Sequence, residues 1–164
     1  MLNRNADKKG LGLLIILSPI IFTGHFLEES PRFVAWFNAH VQNGITSRLF
    51  WNVNISALVI TIVVMSIELI EPSIFSACFV VLWLSFLMLT NAMFHITGTI
   101  VDQQYMPGLV TAVILYLPYY CFIVARLLKK NRLTVGTAIV LAMLGSVLML
   151  VHGYLIIFRG SRLF

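Results

Sequence analysis

Three ionisable residues stand together in His25-Phe26-Leu27-Glu28-Glu29, at the end of an apolar run where a membrane segment should avoid charge. On a helix, positions i, i+3 and i+4 share a face, so Glu28 and Glu29 flank the direction in which His25 points. Adjacent carboxylates repel unless a proton or a cation lies between them. A divalent metal meets that need, and histidine with carboxylate suits zinc first and iron second. An acidic group at the centre of a bilayer costs about 2.5–3.5 kcal/mol on insertion scales, and less near the interface. Further on, Asn91 and His95 lie one helical turn apart, and Asp102 extends their stripe two turns beyond. Tyr105, Pro107 and Gly108 follow, and His152 comes near the end of the last apolar run.

The elements that must position these residues are membrane helices. Of 164 residues, 60% are hydrophobic and only 10% charged. A soluble domain of this length is nearer 45–50% apolar, because its surface has to carry charge. The expected fold is therefore all-α: a polytopic helix bundle forming a single membrane-embedded domain over residues 1–164. Apolar stretches at 11–27, 54–70, 74–101, 107–128 and 134–158 give about five spans, each near the roughly 20 residues that cross a bilayer. The first is short and holds Pro19, and Pro118 should disturb the fourth. Residues 31–50 mix Pro31, Phe33, Trp36 and Phe37 with polar side chains and read as an amphipathic interfacial segment. Lys8-Lys9 before a short apolar run resembles a signal peptide, but no small-x-small site follows, so the run is expected to be retained.

The net charge of +5 arises from residues that flank apolar runs, including Arg126, Lys129, Lys130 and Arg132. That pattern sets membrane topology and argues against nucleic acid as a partner. Seven basic residues against four place the amino terminus in the cytoplasm of a multi-pass protein of the cell membrane. On this topology His25, Glu28, Glu29, Asn91, His95, Tyr105 and His152 all fall at similar depth on the outer side. Reversing the topology changes the side and keeps the convergence.

Each of these residues also has a plainer reading. Glu28 and Glu29 would be solvated at the end of a short helix. His95 would be a hydrogen-bonded interhelical residue, and His152 would face headgroups. His40 reads as a surface residue, and Glu68 and Glu71 as boundary charges on the opposite side. Tyr116, Tyr119, Tyr120 and the tryptophans read as packing or belt residues, and Cys78 and Cys121 as small buried hydrophobes.

His25-Phe26-Leu27-Glu28-Glu29 followed by Ser30-Pro31-Arg32 resembles the signature of the HXXEE-domain family of membrane proteins. Asn91-Ala92-Met93-Phe94-His95, as N-x-x-x-H, and Tyr105-Met106-Pro107-Gly108, as Y-x-P-G, come next in the family's order. The resemblance covers the first four apolar stretches and leaves His152 outside. It implies a polytopic membrane protein with an enzymatic activity whose reaction is unassigned.

The spacing H-x-x-E-E also resembles the inverted zinc-protease helix H-x-x-E-H. By that analogy His25 and Glu29 are metal ligands, Glu28 the base, His95 the third ligand and His152 a fourth or a substrate-polarising group. Asn91 then orients His95 or holds an oxyanion, Tyr105 donates a proton, and the two glutamates can exchange roles. A site near the interface receives an apolar substrate from membrane lipid and water from outside, which suits hydrolysis of a lipid, acyl or membrane-peptide bond. The alternatives are a metal-free glutamate-type intramembrane protease, an iron site for oxidation, an ion- or proton-coupled transporter, and a structural or partner-binding role. Glu28-Glu29 with Arg32 comes one residue short of the glutamate proteases' E-E-x-x-x-R.

Overall fold

In the computed structural model, residues 11–41 and 44–152 are described, and they are almost wholly helical. Four helices are long and apolar enough to cross a membrane: α1 (Gly12–Glu29), α3 (Ser47–Ile70), α4 (Ile74–Asp102) and α5 (Leu109–Lys129). The short helix α2 (Phe33–His40) lies between the first two of these, and α6 (Val135–His152) follows the last. The chain is thus a helical membrane bundle. Lys8, Lys9 and the part of the fifth apolar stretch beyond residue 152 lie outside the described residues.

Helix starts follow local chemistry. Thr46 caps α3 by accepting from the Leu49 amide at 3.1 Å, so the second span begins seven residues before the expected position 54. Residues 47–50, read from the sequence as the end of the interfacial segment 31–50, are thus the first turn of the span. Ser73 and Ser76 form a reciprocal cap at the start of α4. The first turns of α1, Gly12–Ile16, are wound as a 3-10 helix ahead of Pro19.

The core is built around α4. Ala77, Val80, Val81, Leu84, Met88 and Ala92 are all fully buried along it. Helix α6 approaches closely at Gly145, where a Cβ would lie 2.5 Å from the Leu82 carbonyl oxygen and 2.7 Å from the Ser85 Cβ. Small residues at such crossings let backbones meet without a water-driven hydrophobic force. The Thr90 hydroxyl also bonds Ser146 across this contact at 2.8 Å. Large apolar side chains on the outer faces, among them Ile60, Ile114 and Leu144, are exposed as lipid contact demands.

Two of the three helices that deliver site residues contain a π-helical turn: Ser85–Thr90 in α4 and Ala112–Tyr116 in α5. Each inserts one extra residue and so rotates the remainder of its helix by about 100° relative to an unbroken one. In α4 the turn ends immediately before Asn91 and sets the direction of Asn91 and His95. In α5 it ends at Tyr116, two residues before Pro118, whose ring has no N–H to close the preceding α-turn. The disturbance expected at Pro118 therefore takes the form of a π-turn within a continuous helix.

Two expectations about charge change. Glu68 is no boundary charge. It is buried, as is Arg132, and the two form a salt bridge with both guanidinium ends engaged. Ser76 donates to Glu68 at 2.6 Å, the Leu11 amide at 3.2 Å, and Arg132 also donates to the Ser73 carbonyl. A charge pair taken out of water persists only where such extra bonds satisfy it. His40 is no free surface residue either. Its ring stacks on Trp36 and its Nε2 lies 3.0 Å from Asp102 Oδ1, while Trp36 donates to Asp102 Oδ2 at 3.2 Å. Asp102 thus fastens α2 to the end of α4 instead of extending the Asn91–His95 stripe into the site.

Candidate metal centre

His25, Glu29 and His95 come together in the bundle interior, with one ligand atom from each lying within 4.8 Å of the others. All three are buried: His25 is 1% exposed, His95 0% and Glu29 5%. Helix α1 supplies His25 and Glu29 one turn apart, and α4 supplies His95 after its π-turn. Glu29 Oε1 lies 3.5 Å from His25 Nε2 and 3.1 Å from His95 Nε2. Neither nitrogen makes a hydrogen bond, so the angles are wrong for pairing although the distances are short.

The tautomer of His25 follows from its other nitrogen. Nδ1 lies 2.8 Å from the Thr111 hydroxyl oxygen, and that hydroxyl lies 2.5 Å from Glu28 Oε2. A hydroxyl has one proton, and a carboxylate only accepts. The Thr111 proton therefore goes to Glu28, and Thr111 accepts from His25 Nδ1–H. His25 Nε2 is thus the ring nitrogen free of Thr111, and it faces the Glu29 carboxylate. A cation seated between them would be bound by both the ring nitrogen and the carboxylate.

Glu28 is held differently from its neighbour. Its two oxygens receive the Tyr105 hydroxyl, the Thr111 hydroxyl, the Thr111 amide at 2.8 Å and the Val110 amide at 3.2 Å. The amides are the unpaired N–H groups at the start of α5, where a negative charge is favoured. Glu28 from α1 thereby caps α5. Tyr105 donates to Glu28 and so serves that carboxylate rather than the cluster. Burial, followed by the neighbouring Glu28, pushes the Tyr105 hydroxyl up to about 12 and keeps it a donor.

Gly108 explains the Y-x-P-G spacing. Its φ is +97°, and a Cβ there would stand 2.6 Å from His95 Cε1, 2.9 Å from Glu29 Cγ and 3.0 Å from His25 Cε1. Only glycine fits against all three cluster residues in this backbone conformation. The Tyr116 ring lies over His25 with centroids 4.2 Å apart, and its hydroxyl is buried without a partner. Thr111 and Tyr116 were not singled out as site residues in the sequence. Thr111 follows Gly108 by three positions, which is a helix-face spacing that could have pointed to it.

Asn91 does not bond to His95; its amide oxygen is buried without a partner. Together with Glu29 it lines a cavity of about 340 Å³. Phe33 and Phe37 of α2, Phe50 of α3, Phe94 of α4 and Met149 of α6 form the cavity walls. His152 closes α6, and its side chain lies outside the described residues.

The fold and this cluster define a multi-pass helical membrane protein with a buried histidine–carboxylate centre. The chain belongs to the family described as proteins of unknown function with an HXXEE motif, whose model matches residues 16–123. No curated protein and no solved structure matches it. The matched range includes His25, Glu28, Glu29, Asn91, His95, Tyr105, Gly108 and Thr111, and excludes His152.

Proposed function

We propose that His25, Glu29 and His95 bind a divalent metal, zinc first and iron second, in a membrane-embedded hydrolase that acts on an apolar substrate. One observation carries this reading: His25 Nε2, the nitrogen left over from the Thr111 bond at Nδ1, and His95 Nε2 both face Glu29 Oε1 in a buried site, and neither makes a hydrogen bond there. Two histidines and one carboxylate are a donor set of both catalytic zinc sites and non-haem iron sites, and three protein ligands leave coordination positions open. A metal so held supplies Lewis acidity toward a carbonyl oxygen and toward water at neutral pH.

The residues divide the remaining work. Thr111 fixes the tautomer of His25, Glu28 holds Thr111, and Tyr105 holds Glu28. Such outer partners orient ligands and raise their basicity. With Glu28 engaged by four donors, Glu29 is the carboxylate on the cavity side, both ligand and nearest proton acceptor. Asn91 presents its carboxamide to a substrate beside it. With the amino terminus cytoplasmic, as the basic residues favour, the site belongs to the outer leaflet of the cell membrane.

Metal analysis of protein purified without chelators tests the reading. We expect close to one zinc or iron per chain, lost in His25→Ala and His95→Ala. Metal-free wild-type protein after supplementation with both ions would overturn it.

A further inference from the structure

The cavity beside Glu29 has a polar end and an apolar body. Glu29 and the unpartnered Asn91 oxygen mark the first, and Phe37 and Phe50, 2% and 4% exposed, belong to the second. Its rim is different: Leu49 and Val53 are 47% and 50% exposed on the outer face of α3, the face that meets hydrocarbon. The cavity is thus entered sideways from the bilayer, and its polar groups lie inward, beside the metal ligands. Helix α2, fastened at Asp102, contributes Phe33 and Phe37 as cover.

We propose that this cavity receives the acyl chain of a membrane lipid, with the acyl carbonyl at the polar end beside Glu29, where the Asn91 carboxamide can turn its N–H toward the carbonyl oxygen. This deepens the reading of the cluster as a metal-dependent hydrolytic site and rests on it for the placement of the carbonyl. The walls choose between the apolar substrates. A peptide brings an amide N–H and a carbonyl at every residue, and each needs a partner where water is absent. Beyond Glu29 and Asn91 the only other polar side chain among the described residues lining the cavity is Asn54, one of whose amide protons is already given to the Phe50 carbonyl at 3.0 Å. These are too few partners for the run of amides a peptide brings. A methylene chain asks for no partners after its carbonyl. The volume of about 340 Å³ lies at the lower end of the range for small-molecule sites, roughly 300–1,000 Å³, which has room for one acyl chain.

The full chain is reconstituted in phosphatidylcholine vesicles containing either a phosphatidylcholine or a free fatty acid with a diazirine in its acyl chain. After irradiation, the labelled residues are mapped by mass spectrometry and zinc is measured in the same sample. We expect label on Phe37, Phe50 and Phe94, reduced at least five-fold by Val53→Trp and by Leu49→Trp, which narrow the entrance from an exposed position. Label from the phospholipid identifies an intact lipid as the source; label from the fatty acid alone identifies the released acyl product. Label confined to outward residues such as Ile60, Ile114 and Leu144, with Phe37 and Phe50 clean, overturns the proposal. Label at Phe37 and Phe50 in protein that retains no metal leaves the acyl chain in place and sinks the metal reading instead. Retained metal with a clean cavity does the reverse.

Discussion

His25 Nδ1 and Thr111 Oγ1 meet at 2.8 Å across the contact between α1 and α5, 86 residues apart in the chain. Because Thr111 spends its proton on Glu28, this one contact fixes which nitrogen of His25 can bind a metal. Thr111→Val keeps the shape and removes the acceptor. Its metal affinity should fall about 10–100-fold, the usual cost of losing a partner of a metal-bound histidine. Thr111→Ser should retain nearly all of it. Competition with a chromophoric zinc chelator reads both, and equal affinity for wild type and Thr111→Val sinks the tautomer argument.

Gly108→Ala should damage the site and the fold together. A left-handed backbone position costs a non-glycine residue about 1–3 kcal/mol, and the new methyl would stand 2.6 Å from His95 Cε1. We expect a lower thermal midpoint and less than a quarter of the wild-type metal. Gly24→Ala is the control. A Cβ there meets nothing within 4 Å, and alanine favours a helix, so midpoint and metal content should hold or rise.

The features legible in the sequence were those that make buried charge costly. His25 and Glu29 stood out because they are one turn apart on an apolar helix, and His95 because a run such as Met93–Ile96 rarely carries a polar residue without cause. Their convergence followed from span direction alone. The division of labour between the two glutamates was not legible. Glu28 and Glu29 differ by about 100° around α1, and only the packing of α5 decides which carboxylate meets its amides. The π-turns were equally hidden, since no local composition distinguishes Ser85–Thr90 from an ordinary turn. The Glu68–Arg132 pair was missed for a similar reason. Arg132 belongs to a basic loop in the sequence, and nothing there says that its side chain turns inward.

Tyr105 gives a pH signature. It lies between α4 and α5, outside the spans, and its hydroxyl is pushed up to about 12 by burial and by Glu28. The folded value exceeds the ordinary value near 10, so the folded state favours the protonated phenol. That preference is fully present below pH 10 and is lost as pH rises through about 12. The gap in thermal midpoint between wild type and Tyr105→Phe should stay constant from pH 7 to about 9.5 and then close toward pH 12. A gap unchanged across that interval means that the phenol does not hold Glu28. Because Tyr105 is about half exposed, the effect should be small and the direction is the informative part.

The Glu68–Arg132 pair should contribute to stability without contributing to the site. Both side chains are at most 1% exposed, and Ser76, which bonds Glu68, precedes His95 by 19 residues along α4, about 28 Å of helix. Glu68→Gln leaves the Arg132 charge buried without a counterion, and Arg132→Met leaves Glu68 without its cation. Each should cost about 3–5 kcal/mol, as removal of one partner of a buried pair does. In Glu68→Gln with Arg132→Met no buried charge remains, and the glutamine oxygen can still accept from the Leu11 amide, which now bonds Glu68. The double variant should therefore recover most of the loss, a coupling that thermal unfolding in detergent measures directly. Metal content should remain at the wild-type level in the double variant, since it leaves His25, Glu29 and His95 untouched. If the single losses simply add, the ion pair is not what holds that end of the bundle.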